Sequence, residues 1–215
     1  MVKEERSLLS DGCADALERF NEACIRELDR CFHEFSEGPY LEAAALILEC
    51  QRHGGRVHTT GIGKPAHICT YAASLLSSTG TPTYFLHGTE AVHGSCGQLV
   101  EGDVVICISN SGETAELKAT VRAIKNNGGK IIAITGGLSS WLADHADVRL
   151  YAGDTAEGAV LDRAPRLSVL AEIVAVQRLS IVLQTNYGLT PAQYIKWHPG
   201  GTLGRLREDE QGPRT

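Results

Sequence analysis

Apolar residues recur at helical spacing from residue 7 to residue 35: Leu8, Leu9, Cys13, Ala16, Leu17, Phe20, Ala23, Cys24, Leu28, Cys31, Phe32 and Phe35. Steps of three and four keep them on one face, which predicts an amphipathic helix. "SEGPY" interrupts the pattern, and "LEAAALILECQRHGG" predicts a second helix that closes at Gly54-Gly55. The period then changes. Short apolar runs predict strands at 56–60, 82–86, 103–108, 130–135 and 147–151. "VVICI" and "IIAI" show no polar alternation, so both faces of those strands should be covered. Helices are predicted between the strands at about 64–79, 90–98, 113–127 and 139–145. A loop at 152–163, a long apolar helix at 166–187 and a short helix at 190–197 complete the chain.

Repeated βα units of this length imply a parallel sheet with right-handed crossovers. The expected fold class is α/β, a three-layer sandwich with a five-stranded parallel sheet. N-terminal helices (1–54) should pack on a sheet domain (55–205), with a flexible tail at 206–215. Ligands of such sheets bind beyond the carboxyl ends of the strands. Three loops at that edge stand out: "TGIGKPAH", "HGTEAVHGSCG" and "SNSGETAE".

Composition narrows the function classes. At 215 residues, 43% hydrophobic and 21% charged, the chain reads as one soluble globular domain. A net charge of −6 argues against a nucleic-acid surface. The seven cysteines form no CxxC pair, which points to a reduced, cytoplasmic protein without disulfides or a zinc knuckle. The N-terminus lacks a signal-peptide core, and no run of about 18 apolar residues is seen, so no membrane span is expected.

"GIGK" at 61–64 is not a phosphate-binding Walker loop, because His58 and Pro65 stand where that loop needs glycine and a hydroxyl. It is not a dinucleotide fingerprint either, because Ala66 replaces the third glycine. What remains is a tight turn, Gly61 to Gly63, that puts Lys64 at a helix start. A cation sits poorly there unless an anion joins it; a solvated surface lysine is the plain alternative. In "SNSGET", Ser109, Ser111 and Thr114 offer hydroxyls, while Gly112 allows close backbone approach. Ser111 and Thr114 serve equally well as helix caps. "HGTEAVHG" presents His87, Glu90 and His93, but without the two histidines four apart that a zinc helix needs. No metal and no cofactor are expected. Glu157 and His198, each alone, read as a solvated carboxylate and a helix-end histidine.

Together the motifs resemble the SIS (sugar isomerase) domain family, most closely its bacterial arabinose-5-phosphate isomerase branch. The carriers are "GIGK" at 61–64, "HGTEAVHG" at 87–94, "SNSGETAE" at 109–116, Glu157 and "HPGGTLGR" at 198–205, in that order. The resemblance implies a flavodoxin-like sheet and interconversion of D-arabinose 5-phosphate and D-ribulose 5-phosphate. It implies a catalytic set of Lys64, Glu116, Glu157 and His198. The phosphorylated sugar would be bound by Gly61, Gly63, His87, Glu90, His93, Ser109, Asn110, Ser111, Gly112 and Thr114. A homotetramer with sites at subunit interfaces is also implied, with neither nucleic acid nor membrane as partner. Two departures stand out. Family members often continue into paired CBS domains, whereas this chain stops ten residues after Arg205. Arg166 and Leu167 replace small hydroxyl residues of the family. That second departure leaves open an isomerase for another sugar phosphate. A non-catalytic sugar-phosphate sensor is the rival class, but such regulators carry an N-terminal DNA-binding unit of about 70 residues, and about 55 precede the first strand here.

Overall fold

The computed structural model describes residues 9–10, 12–207 and 210. Two helices, α1 (Cys13–His33) and α2 (Gly38–Arg52), precede the sheet. The alternating part runs β1 (Val57–Gly61), α3 (Lys64–Ser78), β2 (Thr83–Phe85), α4 (Gly88–Ala91), β3 (Val104–Ile108), α5 (Ala115–Asn126), β4 (Lys130–Thr135), α6 (Trp141–Asp144) and β5 (Val148–Tyr151). Two helices, α7 (Leu167–Tyr187) and α8 (Pro191–Trp197), follow. All strands pair in parallel in the order β2-β1-β3-β4-β5, the flavodoxin-like order expected.

The unbroken apolar runs sit where both sheet faces are covered. Ile106, Ile108, Ile132 and Ile134 face α2, α3 and α7. Their neighbours Val105, Cys107, Ile131 and Ala133 face α4, α5 and α6. Each fully buried isoleucine contributes about 2–3 kcal/mol of transfer free energy, which favours this register over a one-residue slip. At the amino edge, His58 Nε2 lies 3.2 Å from Asp103 Oδ2, and burial lowers its pKa.

Three expectations need correction or restriction. The helix expected at 90–98 is two pieces, α4 and a 3-10 turn at Ser95–Gln98. Gly94 between them has φ +116°, which no α-helix accommodates. Second, α7 has the length and composition of a membrane span: its most apolar 18 residues average a hydropathy of 1.6. Only Glu172 and Arg178 interrupt it with charge, and scattered serines and glutamines hide the run from a simple apolar count. Half of that stretch is buried inside the protein. Its residues Ala171, Ala175, Val176, Leu179 and Leu183 belong to the core shared with α2 and α3. Third, residues 7–8 and 11 of the first predicted helix, and 208–209 and 211–215 of the predicted tail, lie outside the described residues.

Candidate active site

The sheet order reverses between β1 and β3. β1 leads outward to β2, whereas β3 leads the other way to β4, so their carboxyl ends open a crevice. Gly61 pairs with Ile108, so the "GIGK" and "SNSGET" loops leave adjacent strand ends on either side of it. The first turn is tight for a stated reason: a Cβ on Gly61 would lie 2.9 Å from the Ile108 carbonyl oxygen and 3.1 Å from the Pro65 carbonyl carbon. Gly63, with φ +68°, then starts α3. Lys64 follows in the first turn, exposed and without an ion pair among the described residues.

The loop after β2 closes onto that turn. A Cβ on Gly88 would meet Ile62 at 2.6 Å and the Gly61 carbonyl oxygen at 2.9 Å. Thr120 of α5 donates its hydroxyl to the Gly88 carbonyl at 2.5 Å. His87 caps α4: its Nδ1 accepts the Glu90 N–H at 3.4 Å and faces the Thr89 hydroxyl at 3.1 Å. Glu90 and His93 are exposed nearby, His93 one step beyond the helical turn.

The loop 109–114 is stitched to the next loop of the sheet. The Asn110 carbonyl accepts the Gly136 N–H at 2.9 Å and the Thr135 hydroxyl at 3.1 Å. The Gly112 carbonyl accepts the Leu142 N–H at 3.0 Å. Glu113 accepts the Trp141 N–H at 2.7 Å and pairs with Lys118. The Lys118 ammonium, then the Trp141 N–H, hold its carboxyl below the usual range. The hydroxyls divide their work. Buried Ser109 accepts the Gly112 N–H at 3.2 Å and shapes the loop. Ser111 is exposed and accepts the Glu113 N–H at 3.2 Å, leaving its O–H free to donate outward. Thr114 starts α5 without a side-chain cap bond. The first N–H groups of α5 lack intrahelical acceptors, as at every helix start, and α5 carries the positive end of its dipole there. Hydroxyls, a glycine and free N–H groups gathered at a helix start have the make-up of an anion cradle. Glu116 lies in the same first turn, exposed, with no side-chain hydrogen bond among the described residues.

Glu157 is the opposite of a solvated loop carboxylate. It is 9% exposed. One oxygen accepts the N–H groups of Arg166, Leu167 and Ser168 at 2.5, 2.9 and 3.3 Å, and the other accepts the Ser168 hydroxyl at 2.5 Å. It therefore holds the start of α7. Arg166 and Leu167 keep their backbone bonds to it while their side chains diverge. The Arg166 guanidinium is exposed and Leu167 is buried in the core.

His198 is not brought to these residues within one chain. α7 runs back from the carboxyl edge for 21 residues, about 31 Å at helical rise. Tyr187 at its end lies under Gly80, before β2. Trp197 contacts Tyr187 with ring centroids 6.0 Å apart, so α8 sits at the amino edge. His198 ends α8, stacked on Tyr194 at 3.9 Å, its Nδ1 2.8 Å from the Tyr194 carbonyl.

A crevice at the reversal point of an open parallel sheet, rimmed by a lysine and a hydroxyl-rich loop, places the chain among α/β proteins of flavodoxin-like topology. Its family is specific. Residues 51–176 match the SIS domain, and the chain belongs to that family. It is 42% identical over 160 residues to the probable arabinose 5-phosphate isomerase of Haemophilus influenzae, covering 74% of this chain and 47% of that protein. The chain thus spans about half the length of the curated relatives it matches. A solved structure of a protein from E. coli CFT073, described as a complex with arabinose 5-phosphate, superposes with a TM-score of 0.80 at 31% identity, covering 89% of this chain and all of that one. A putative phosphosugar isomerase involved in capsule formation from Bacteroides fragilis superposes with a TM-score of 0.76 at 34% identity, covering 89% and 97% of the two chains.

Proposed function

We propose that the chain is an aldose–ketose isomerase that interconverts D-arabinose 5-phosphate and D-ribulose 5-phosphate. The observation that carries this reading is the pairing of the 109–114 cradle with Lys64 and Glu116 across one crevice. The likeness to a protein solved with arabinose 5-phosphate supports the choice of sugar. The cradle and the start of α5 hold the phosphate, which fixes the sugar chain for reaction. Glu116 takes a proton from the carbon beside the carbonyl and returns it one carbon away. Its side chain is unencumbered, whereas both oxygens of Glu157 are occupied by α7 donors. Glu157 in this reading fixes the wall of the site. Lys64 stabilises charge that develops on the enediolate oxygens.

His198 belongs, in this reading, to the site of a neighbouring copy in a cytoplasmic homotetramer. Its place at the amino edge of its own sheet supports that assignment. So does the row of exposed apolar residues Leu17, Ile25 and Phe32 on α1, 65%, 74% and 58% accessible in the single chain. The free state of all seven cysteines fits a reducing compartment.

The test is kcat/KM for arabinose 5-phosphate against a panel of pentose and hexose phosphates. The reading predicts that arabinose 5-phosphate ranks first. A better hexose phosphate would replace the substrate, and binding without turnover would make the chain a sensor.

Two variants of this experiment have definite expectations. Ser111→Ala should raise KM about 10- to 100-fold and leave kcat within about threefold, because a hydrogen bond to phosphate is lost equally in ground and transition states. An unchanged KM removes Ser111 from the cradle. Activity should also persist after chelation. Among the described residues no group of three or more His, Cys, Asp or Glu side chains is placed to hold a metal ion, and the reading assigns the electrophilic work to Lys64 and His198. Activity lost to chelator and restored by one equivalent of a divalent ion would contradict it.

A further inference from the structure

One buried acid takes no part in the chemistry assigned above. Glu172 lies on the inner face of α7, 1% exposed, and among the described residues neither carboxylate oxygen reaches a partner at full hydrogen-bond geometry. A buried, unpaired carboxylate is too costly to persist as an anion. No cation among the described residues acts on it. Ser168, one helical turn earlier, holds Glu157, so two carboxyl groups share this end of α7. Above it is the backbone N–H of Asn110, inside the phosphate cradle. From α3 it faces the Cys69 thiol, which in turn faces Cys107 of β3. Burial pushes both thiols up, so neither supplies charge of either sign at neutral pH.

We propose that Glu172 is a positioning residue of the sugar-phosphate site, a carboxylic acid whose retained proton lets the 109–114 loop accept a dianionic phosphate. This rests on the reading above, that the loop holds the phosphate. The physical reason is the sign of the charges. Three N–H groups and a hydroxyl converge on Glu157, so of the two carboxyl groups Glu172 is the one left without donors. Where two carboxyl groups share a dry site, one keeps its proton. A second buried anion directly beneath the cradle would oppose the phosphate through a low-dielectric wall. The chemistry is consistent: burial first, then the charge of Glu157, raises the Glu172 carboxyl to about 8, against the pull of the Asn110 N–H.

The experiment compares the 215-residue wild-type chain with Glu172→Gln, a neutral isostere of the protonated acid. Binding of arabinose 5-phosphate is measured by calorimetry at pH 7 and pH 9, where the sugar phosphate is already a dianion (second pKa about 6). With Glu172 titrating near 8, the competent fraction falls about tenfold over this range, and the wild-type Kd should rise about tenfold. Glu172→Gln should hold its pH 7 affinity at both pH values. In turnover the same change should appear in KM and not in kcat.

A second readout is independent of ligand. A carboxyl raised in the folded state stabilises fully below its ordinary value of 4.5 and loses that contribution as pH climbs through about 8. Glutamine does not titrate. The Tm of Glu172→Gln minus that of wild type should therefore be a margin that grows more positive from pH 5 to pH 8. A margin that stays constant, or a Glu172→Gln affinity that falls with pH as steeply as wild type, overturns the proposal and leaves the functional reading intact. Absence of binding by both proteins overturns the functional reading and the proposal with it.

Discussion

Gly112→Ala should lower Tm by about 5–15 °C and weaken arabinose 5-phosphate binding by about tenfold or more. Gly112 has φ +64°, a conformation that costs an alanine about 1 kcal/mol. The added Cβ would also sit 2.1 Å from the Ser140 Oγ and 2.5 Å from the Ser140 Cβ. Ser140 cannot swing clear. It is 6% exposed, and its hydroxyl accepts the Ala143 N–H at 3.3 Å as the cap of α6. The strain must instead push the cradle away from α6 and break the bond from the Leu142 N–H to the Gly112 carbonyl. Together these effects amount to about 2–5 kcal/mol. Thermal denaturation and calorimetric titration read both consequences. Adding Ser140→Gly should recover part of the loss, since it removes the clash and leaves the φ strain. A double variant no better than Gly112→Ala would show that the clash is not the cause.

The two glutamates near the crevice should fail in different ways. Glu157→Ala leaves three N–H groups and the Ser168 hydroxyl without an acceptor at the start of α7. Unpaired buried donors and the lost charge at a helix N-terminus cost about 3–5 kcal/mol, a fall in Tm of roughly 6–20 °C. Glu116→Gln breaks no hydrogen bond of its side chain, so Tm should stay within about 2 °C. Its kcat should nevertheless fall about 10²- to 10⁴-fold, the range for a lost general base. The paired measurement is Tm and kcat on both variants. If Glu157→Gln keeps Tm and loses turnover while Glu116→Gln keeps turnover, the roles are reversed.

Much of this architecture was readable because its causes are local. "VVICI" and "IIAI" lack polar alternation because helices cover both faces of β3 and β4. Gly54, at φ +79°, follows the end of α2 as a left-handed residue that only glycine adopts at no cost. Lys64 and the hydroxyls of 109–114 stand at strand ends, where a parallel sheet must place its ligand. The rest depends on contacts distant in sequence. Glu157 looks like a loop residue because the donors that bury it begin nine positions later, at the Arg166 N–H. The role of Ser140 beneath Gly112 depends on the β4–α6 loop folding back under the cradle. His198 reads as part of the site in the sequence, yet α7 carries it to the other edge of its own sheet. Glu172 did leave a signal, a single carboxylate in the otherwise apolar stretch from Val169 to Val176. An acid on the buried stripe of a helix is worth questioning before the fold is known.

The central claim is that this crevice moves a proton between neighbouring carbons of a bound sugar phosphate. The direct measurement is proton NMR of arabinose 5-phosphate incubated with the full chain in deuterated buffer. The account predicts that the C2 proton signal is lost, with ribulose 5-phosphate appearing and deuterium entering the recovered sugar phosphates. A folded, oligomeric sample that binds arabinose 5-phosphate yet forms no ribulose 5-phosphate and leaves the C2 proton in place would contradict it.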